Sequence, residues 1–126
     1  MNIIPSLINA CPPFYRTLVV TADQWLKEDG HISSCAVMSI LSQFVIERLV
    51  NYEYDHITEL FAMTEEFMIS DSEDLQNATA TCFLENLLNA TPERLDSASF
   101  VSLLGPESKE YCRAWDTFTG VKASGI

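Results

Sequence analysis

The chain has 126 residues, of which 48% are hydrophobic, so it is long enough for one domain with a substantial core. Seven Lys and Arg stand against eighteen Asp and Glu, which gives a net charge of −11. Phosphate binding needs clustered cations, so we expect no direct nucleic-acid ligand and favour a basic partner. The N-terminus lacks the positive region of a signal peptide and no long apolar span follows, so we expect a cytoplasmic protein without a membrane segment.

Three helices are predicted in the first 52 residues. Residues 2–10 form a short helix with one apolar side. Residues 11–30 form a second helix, because a Pro-Pro pair suits its first turn and an Asp-Gly pair ends it. Ser33 or Ser34 caps a third helix that runs to about Tyr52 and is apolar on most of its circumference.

The next two predicted helices differ in character. Residues 55–69 are amphipathic, whereas residues 70–91 are apolar nearly all round and belong inside a helix bundle, next to the third helix. Ser70 and Glu73 have the spacing of a capping box at the start of the predicted helix over residues 70–91. Each central helix keeps one thin polar row, which we interpret as a strip facing solvent; the alternative is a partner site. The rows are Ser39, Gln43, Glu47 and Asn51, and Asn77, Thr81, Glu85 and Asn89.

The C-terminal part predicts a turn around residues 91–93, a short apolar segment ending at Gly105 and a last helix from Pro106 to Gly120. In that helix Tyr111, Cys112, Trp115 and Phe118 recur at helical spacing on its apolar side. Residues 122–126 are expected to fray. The fold class is therefore all-α: one domain over residues 1–126, a compact bundle of six to seven helices or a short HEAT-like stack of helical hairpins.

Acidic residues concentrate in the middle of the chain. Between Arg48 and Arg94 there is no Lys or Arg, but there are ten acids. On the predicted helix over 55–69, Asp55, Glu59, Ala62 and Glu66 share the outer face, which makes a ridge of roughly 16 Å flanked by Glu65. A surface of one sign attracts a basic partner quickly; the alternative is that it serves solubility alone.

The sequence offers little for catalysis or metal binding. Cys11, Cys35, Cys82 and Cys112 form no CxxC pair and each suits a helix face, so we expect four reduced thiols in the core, with a metal or redox role as the alternative. His31 precedes Cys35 by one helical turn, but a Cys-His nucleophile is the weaker interpretation. No phosphate-binding glycine loop or metalloprotease motif is present, so we expect no catalytic residue, metal or cofactor.

Two stretches of the C-terminal third carry a family resemblance. ATCFLENLLN at 80–89 and LLGPESKEYCRAWDTFTG at 103–120 resemble a family of small, acidic, all-helical bacterial proteins. Such proteins are often encoded beside polymorphic or contact-dependent toxins and are regarded as their immunity proteins. By residue type we interpret the shared residues as structural, with Tyr111 and Trp115 anchoring the last helix on the core, while the acidic middle of the chain meets the partner.

The expected function is therefore neutralisation of a cognate toxin domain, bound one to one through the acidic surface, by a protein that is a monomer or weak dimer when free. The alternative is a helical adaptor or scaffold without toxin neutralisation. A mimic of nucleic acid fits less well, because only one helix shows a regular acidic ridge. The predicted partner-binding residues are Glu53, Asp55, Glu59, Ala62, Glu65, Glu66, Ile69, Asp71, Glu73 and Asp74.

Overall fold

Helices and short turns make up the chain in the computed structural model, which describes residues 3–91, 93–121 and 123–126. A single bridge between Leu26 and Ile32 is the only β pairing within those ranges, so the all-α fold class is confirmed. The helices are α1 (Ile3–Ala10), α2 (Phe14–Val20), α3 (Ala22–Trp25), α4 (Ser34–Val50), α5 (Ile57–Met68), α6 (Glu73–Ala78), α7 (Glu85–Asn89) and α8 (Pro106–Thr119). A π-helical segment, Thr79–Leu84, joins α6 to α7, and 3-10 turns at Ser97–Ser99 and Val101–Leu103 precede α8.

The centre of the molecule is α4 against the composite helix, by which we mean α6, the π segment and α7 together. Both bury apolar side chains along their length, and α4 lies against the π segment, α6 and α7 in turn. The predicted pairing of the two central helices is confirmed. The residues buried between and around them are Val37, Met38, Leu41, Val45, Ile46 and Leu49 from α4 and Leu75, Ala78, Phe83, Leu84, Leu87 and Leu88 from the composite helix.

A small polar network crosses this central interface. The Asn86 side-chain amide donates to the Cys82 carbonyl at 2.8 Å and to the Ser42 hydroxyl on α4 at 3.1 Å. Ser42 is fully buried, and its hydroxyl donates a hydrogen bond to the Ser39 carbonyl at 2.6 Å. Buried polar groups destabilise a core unless they are hydrogen-bonded, and these are. Six of the eight residues in the polar rows are exposed, namely Gln43, Glu47, Asn51, Asn77, Thr81 and Asn89. Ser39 and Glu85 are half-buried and form hydrogen bonds within the protein, so the interpretation as solvent-facing strips is wrong for these two.

The predicted second helix is interrupted. It runs as α2 and then as α3, because the Thr21 hydroxyl donates to the Thr17 carbonyl at 2.7 Å and the backbone leaves the helical conformation there. The chain then turns at Gly30, whose φ of +89° belongs to the left-handed region. Helical spacing alone did not reveal this break, since the apolar residues keep their period across it.

Two predicted helix starts need correction. The composite helix is capped by Ser72, whose hydroxyl accepts the Leu75 amide at 3.2 Å, whereas the Ser70 hydroxyl accepts the Ser72 amide in the preceding turn. On α4 the predicted cap is confirmed, because Ser33 accepts the Ala36 amide. The helix predicted from Asp55 begins two residues later, as α5.

Aromatic rings tie α5 to its neighbours. Phe61 meets Phe83 of the π segment edge-on, with ring centroids 5.8 Å apart, and lies parallel to Phe100 at 6.4 Å. All three rings are fully buried. One cluster of buried residues extends from α1 to Cys112 on α8, so the described helices share a single core.

The end of the chain is docked rather than frayed. Asp116 on α8 accepts hydrogen bonds from the backbone amide and the hydroxyl of Ser124, and only 3% of Ser124 is exposed. Ala123 packs against the core. The expectation of a frayed tail is therefore wrong for residues 123–126, while Lys122 lies outside the described residues. The predicted stop of α8 at Gly120 is confirmed, with φ +72°.

Candidate functional site

The candidate site is the outer face of α5 with the turns on either side of it. Ile57, Leu60, Phe61, Thr64 and Phe67 form the buried inner face of this helix. Glu59, Ala62 and Glu66 follow one another on the exposed face. Since Glu59 and Glu66 are seven residues apart, the acidic face extends over about 10 Å of helix.

Asp55 does not belong to this helical face. Its neighbour His56 has a left-handed backbone, with φ +66°, and the helix starts only at Ile57. Asp55 therefore lies in the turn before α5, together with Glu53, and both side chains are exposed. The predicted ridge of four helical positions is shortened to three.

Glu65 must be removed from the set of free acids. Its carboxylate binds the N-terminus of α8: it accepts the amides of Glu107 at 2.9 Å and Ser108 at 3.0 Å, and the Ser108 hydroxyl at 2.8 Å. A helix begins with unpaired N–H groups and a partial positive charge, both of which a carboxylate satisfies. Glu65 thus joins α5 to α8 and is not available to a partner.

Gly105 makes that contact possible. A Cβ atom at this position would overlap with Cγ and Cδ of the Glu65 side chain in its observed conformation. The glycine therefore serves close approach, not backbone freedom, because its φ of −76° suits any residue. The sequence predicts a helix break at the Gly105-Pro106 pair. In the structure the Glu65 carboxylate packs against the same place.

A second acidic group follows α5. Asp71, Glu73 and Asp74 are exposed, and Glu73 and Asp74 lie in the first turn of α6, where negative charge is favourable. A shallow concavity of about 570 Å³ forms where α5 meets this turn, lined by Glu66, Ile69, Ser70, Asp71 and Ser72. The structure thus brings some of the other predicted partner-binding residues next to the helical face, and Ile69 is exposed among these acids.

The exposed carboxylates of the site form no ion pair with any residue that the structure describes. Ion pairs within the described ranges join His31 to Asp29 and Arg113 to Glu110, each at 2.8 Å, and both lie elsewhere in the chain. None of the site's exposed acids forms a side-chain hydrogen bond with another described residue. The exposed acids are Glu53, Asp55, Glu59, Glu66, Asp71, Glu73 and Asp74.

Two exposed tyrosines stand among these acids, and sequence reasoning missed them. Tyr52 is 79% exposed and Tyr54 is 55% exposed, in the turn between α4 and α5. Tyr52 has φ +59°, an uncommon conformation for a non-glycine residue, and the turn is held by the Glu53 amide donating to the Arg48 carbonyl at 2.8 Å. A groove of about 220 Å³ runs beside both rings. The sequence feature that could have identified these two tyrosines is the Tyr-Glu-Tyr run between two predicted helices.

The cysteines are not four free thiols. Cys35, in the first turn of α4, forms a disulfide with Cys82 in the π segment, so the expectation of reduced thiols is wrong for both residues. The disulfide also removes Cys35 as the nucleophile of the weaker Cys-His interpretation. The two residues are 47 apart in sequence, and no spacing rule connects them. Their Cα atoms are 5.4 Å apart because the two central helices pack side by side.

Cys11 and Cys112 are free and buried, as predicted. Burial raises the pKa of the Cys112 thiol to about 12, and the Asp116 carboxylate adds to that shift. Burial also raises the pKa of Cys11. A thiol reacts as its thiolate, so both side chains are chemically inert at neutral pH.

A separate cavity of about 350 Å³ lies between α7 and α8, lined by Glu85, Tyr111, Ala114, Trp115 and Phe118. The Tyr111 hydroxyl donates to the Glu85 carboxylate. Burial, and then the bonded Glu85 carboxylate, raises the pKa of Tyr111 above its usual value, so the hydroxyl keeps its proton. Tyr111 and Trp115 pack against the core as predicted, but Phe118 is 90% exposed and does not.

Two further properties of the described residues concern ligands and membranes. No three His, Cys, Asp or Glu side chains in ranges 3–91, 93–121 and 123–126 are placed to hold a metal ion together. In the same part of the chain, every helix falls short of the length and apolarity needed to cross a bilayer.

Comparison with curated proteins gave no match, and comparison with solved structures gave none. One family model, described as Domain of unknown function (DUF7674), matches residues 4–120. The match begins in α1 and ends at the glycine that terminates α8. Because it spans nearly the whole fold, the chain belongs to the DUF7674 family of domains of unknown function.

Proposed function

We propose that this protein is an immunity protein that binds a cognate antibacterial toxin domain one to one and blocks its active or target-binding site. The observation that carries the proposal is a surface of unpaired carboxylates which continues from the turn before α5, along its outer face, to the start of α6. Exposed like charges repel one another, and a basic partner relieves that repulsion.

A charged surface also favours the fast association with its target that an immunity protein needs. Carboxylates steer a basic partner to the surface and can pair with the Lys and Arg that a toxin uses on nucleic acid, nucleotide or a translation component. The inhibitor acts by occlusion, without catalysis, metal or cofactor, in the cytoplasm. The free protein is proposed to be a monomer or a weak dimer.

Affinity requires apolar anchors as well as charge, and the tyrosines supply them. Tyrosine is enriched among the residues that dominate binding energy, because a large rigid ring loses little conformational entropy. Tyr52 and Tyr54 alternate with Glu53 and Asp55 in a hydrogen-bonded turn. The turn is therefore pre-organised for binding, which lowers the entropic cost of association.

The proposed contact set is the predicted one without Glu65 and with two tyrosines added. It contains Tyr52, Glu53, Tyr54, Asp55, Glu59, Ala62, Glu66, Ile69, Asp71, Glu73 and Asp74.

The first test is neutralisation. The protein encoded beside this gene is expressed alone and together with this chain, and the pair is examined by size exclusion and light scattering in about 0.3 M salt, where weak surface attraction is screened. We expect toxicity alone, rescue on co-expression and a one-to-one complex. Absence of toxicity, or of a complex, would overturn the immunity proposal.

A second test addresses the placement of the site. Glu59→Lys with Glu66→Lys should slow association about tenfold and weaken the complex. The matched control is Glu28→Lys with Glu47→Lys, which changes the net charge equally at exposed positions away from α5. Equal effects of the two double variants would show that net charge matters and that the α5 face does not.

The second candidate function is an adaptor that binds several partners and neutralises none. The aromatic cavity between α7 and α8 favours it, because it shares no residue with the acidic site and offers a second surface for recognition. The neutralisation test separates the two functions, since an adaptor rescues no cell from a toxin.

A further inference from the structure

The aromatic residues of α8 form a row that runs from two half-buried rings, Tyr111 and Trp115, to one in solvent. Tyr111, Trp115 and Phe118 are spaced four and three residues apart, which places them on one side of the helix. The row ends in a phenylalanine with 90% of its surface in water, although a ring of this size is normally buried. Trp115 and Phe118 both line the cavity between α7 and α8.

A carboxylate contributes to the same cavity. Glu85 projects from α7, and one of its oxygens, Oε2, accepts the Tyr111 hydroxyl. The other oxygen, Oε1, has no hydrogen-bond partner among the described residues, and no buried side-chain oxygen in that part of the chain is left unpaired, so Oε1 faces solvent. Among the residues that the structure describes, no Lys or Arg lines the cavity.

Aromatic faces and a carboxylate attract the same kind of group. The face of an indole or phenyl ring carries negative potential and binds cations, and a carboxylate oxygen accepts their N–H groups. We propose that this cavity receives the side chain of an arginine on a partner protein, with the guanidinium against Trp115 and Phe118 and an N–H donated to Glu85.

Arginine fits better than the other cations. A guanidinium is planar, stacks on aromatic rings and gives up its hydration more readily than the ammonium of lysine. A free small molecule fits less well, because small-molecule sites bury most of their ligand and this cavity has a wall, Phe118, that stands almost entirely in water. The net charge of −11 adds a field that favours a cationic partner.

This inference goes beyond the immunity proposal and does not depend on it. The cavity lies between α7 and α8, whereas the acidic site lies on α5 and the adjoining turns, and the two share no residue. Either can therefore fail while the other stands.

The test uses nuclear magnetic resonance on the full chain, because its two tryptophans supply a reporter and an internal control. Trp115 lines the cavity, whereas the indole N–H of Trp25 donates to the Leu18 carbonyl at 2.9 Å on α2. The probe is the blocked peptide acetyl-Gly-Arg-Gly-amide at millimolar concentration. The comparison peptide carries citrulline, which keeps the shape of arginine without its charge.

We expect the arginine peptide to shift the indole N–H resonance of Trp115 in a saturable manner and to leave that of Trp25 unchanged. The citrulline peptide should give little or no shift. An unmoved Trp115 resonance, or equal shifts with both peptides, would overturn the proposal. A lysine peptide that binds as tightly would overturn the preference for a guanidinium.

Two substitutions test the assignment of residues. Glu85→Gln retains an oxygen for Tyr111 but removes the charge, and should weaken arginine-peptide binding roughly fivefold. Phe118→Ala should weaken it roughly threefold and cannot disturb the core, since the ring is exposed. Tyr15→Ala, at another exposed aromatic residue, is the matched control and should leave affinity unchanged. Wild-type affinity in both cavity variants would refute this assignment.

Discussion

Glu65 and Glu66 are adjacent and chemically identical, yet they belong to two different regions of the molecule. Glu65 lies at the joint between α5 and α8, where its carboxylate accepts three hydrogen bonds. Glu66 lies on the acidic face and contacts no cation among the described residues. Neighbouring helical positions differ by about 100° in direction, so a shift of one residue separates a side chain that holds two helices together from one that faces solvent.

The same contrast extends to the whole chain. We use the word joint for a contact that holds two parts of the chain together. Three joints are the disulfide between α4 and the π segment, the Glu65 contact with α8 and the Asp116 contact with the C-terminal residues. The acidic face has no such contacts. Changes at joints should therefore affect stability, and changes on the face should affect binding alone.

Removing the disulfide should have the largest effect on stability. Closing a loop between residues 47 apart in sequence restricts the unfolded chain, which corresponds to about 4 kcal/mol in the loop-entropy description. Cys35→Ser with Cys82→Ser should lower the free energy of urea unfolding by about that amount. An unchanged midpoint after reduction of the wild-type protein would contradict the assignment of this pair as a structural crosslink.

Replacing Glu65 should have the next largest effect. Glu65→Ala removes a carboxylate that satisfies two helix-end amides and a buried serine hydroxyl, so we expect a loss of about 2–3 kcal/mol in urea unfolding. Glu66→Ala is the matched control and should change stability by less than about 0.5 kcal/mol. If both variants cost the same, the distinction between joint and face is wrong.

Gly105→Ala should destabilise by about 1–2 kcal/mol, because the new Cβ pushes Glu65 away from the helix end. The effect should nearly vanish in the Glu65→Ala background, where the atoms that Cβ meets are absent. Thermal unfolding of the two single variants and the double variant measures this coupling. If the losses of stability in the two single variants simply add in the double variant, the cost of Gly105→Ala does not come from its contact with Glu65.

Asp116→Ala should release the C-terminal residues at a cost of about 1 kcal/mol, since it leaves the Ser124 amide and hydroxyl without their acceptor. Hydrogen exchange at the Ser124 amide is the direct measurement and should become much faster. Asp23→Ala, at an exposed aspartate of α3, should change neither quantity.

The smallest effect is expected from thiol reagents at pH 8. The raised pKa of Cys112, caused first by burial, keeps it protonated well above the pH at which an ordinary cysteine ionises, and Cys11 is shifted in the same direction. Ellman's reagent should therefore release no colour from the native protein. After mild reduction Cys35 should react first, because it is exposed. A fast reaction without reductant would mean that a buried thiol is accessible.

Sequence patterns predicted the helices well where the apolar period was unbroken. They located the two central helices, their pairing and the last helix between Pro106 and Gly120. They failed at Thr21 and at residues 55 and 56, where a hydroxyl bond or a left-handed backbone ends the helix without changing the apolar spacing.

The site was less predictable than the fold. Spacing identified Glu59, Ala62 and Glu66 as one face, since that follows from helical geometry alone. It could not identify the function of Glu65, because its partners lie 42 and 43 residues away. The disulfide was hidden for the same reason, as was the exposure of Phe118, which depends on which distant parts of the chain pack against α8.

The π segment determines where the chain can change its length. A π turn contains one residue more than an α turn. Deleting one residue within Thr79–Leu84 therefore allows continuous α-helix while α6 and α7 keep their facing directions. A deletion within α4 instead rotates every later side chain of that helix by about 100° and turns its apolar side out of the core. A one-residue deletion should thus be better tolerated in the π segment than in α4.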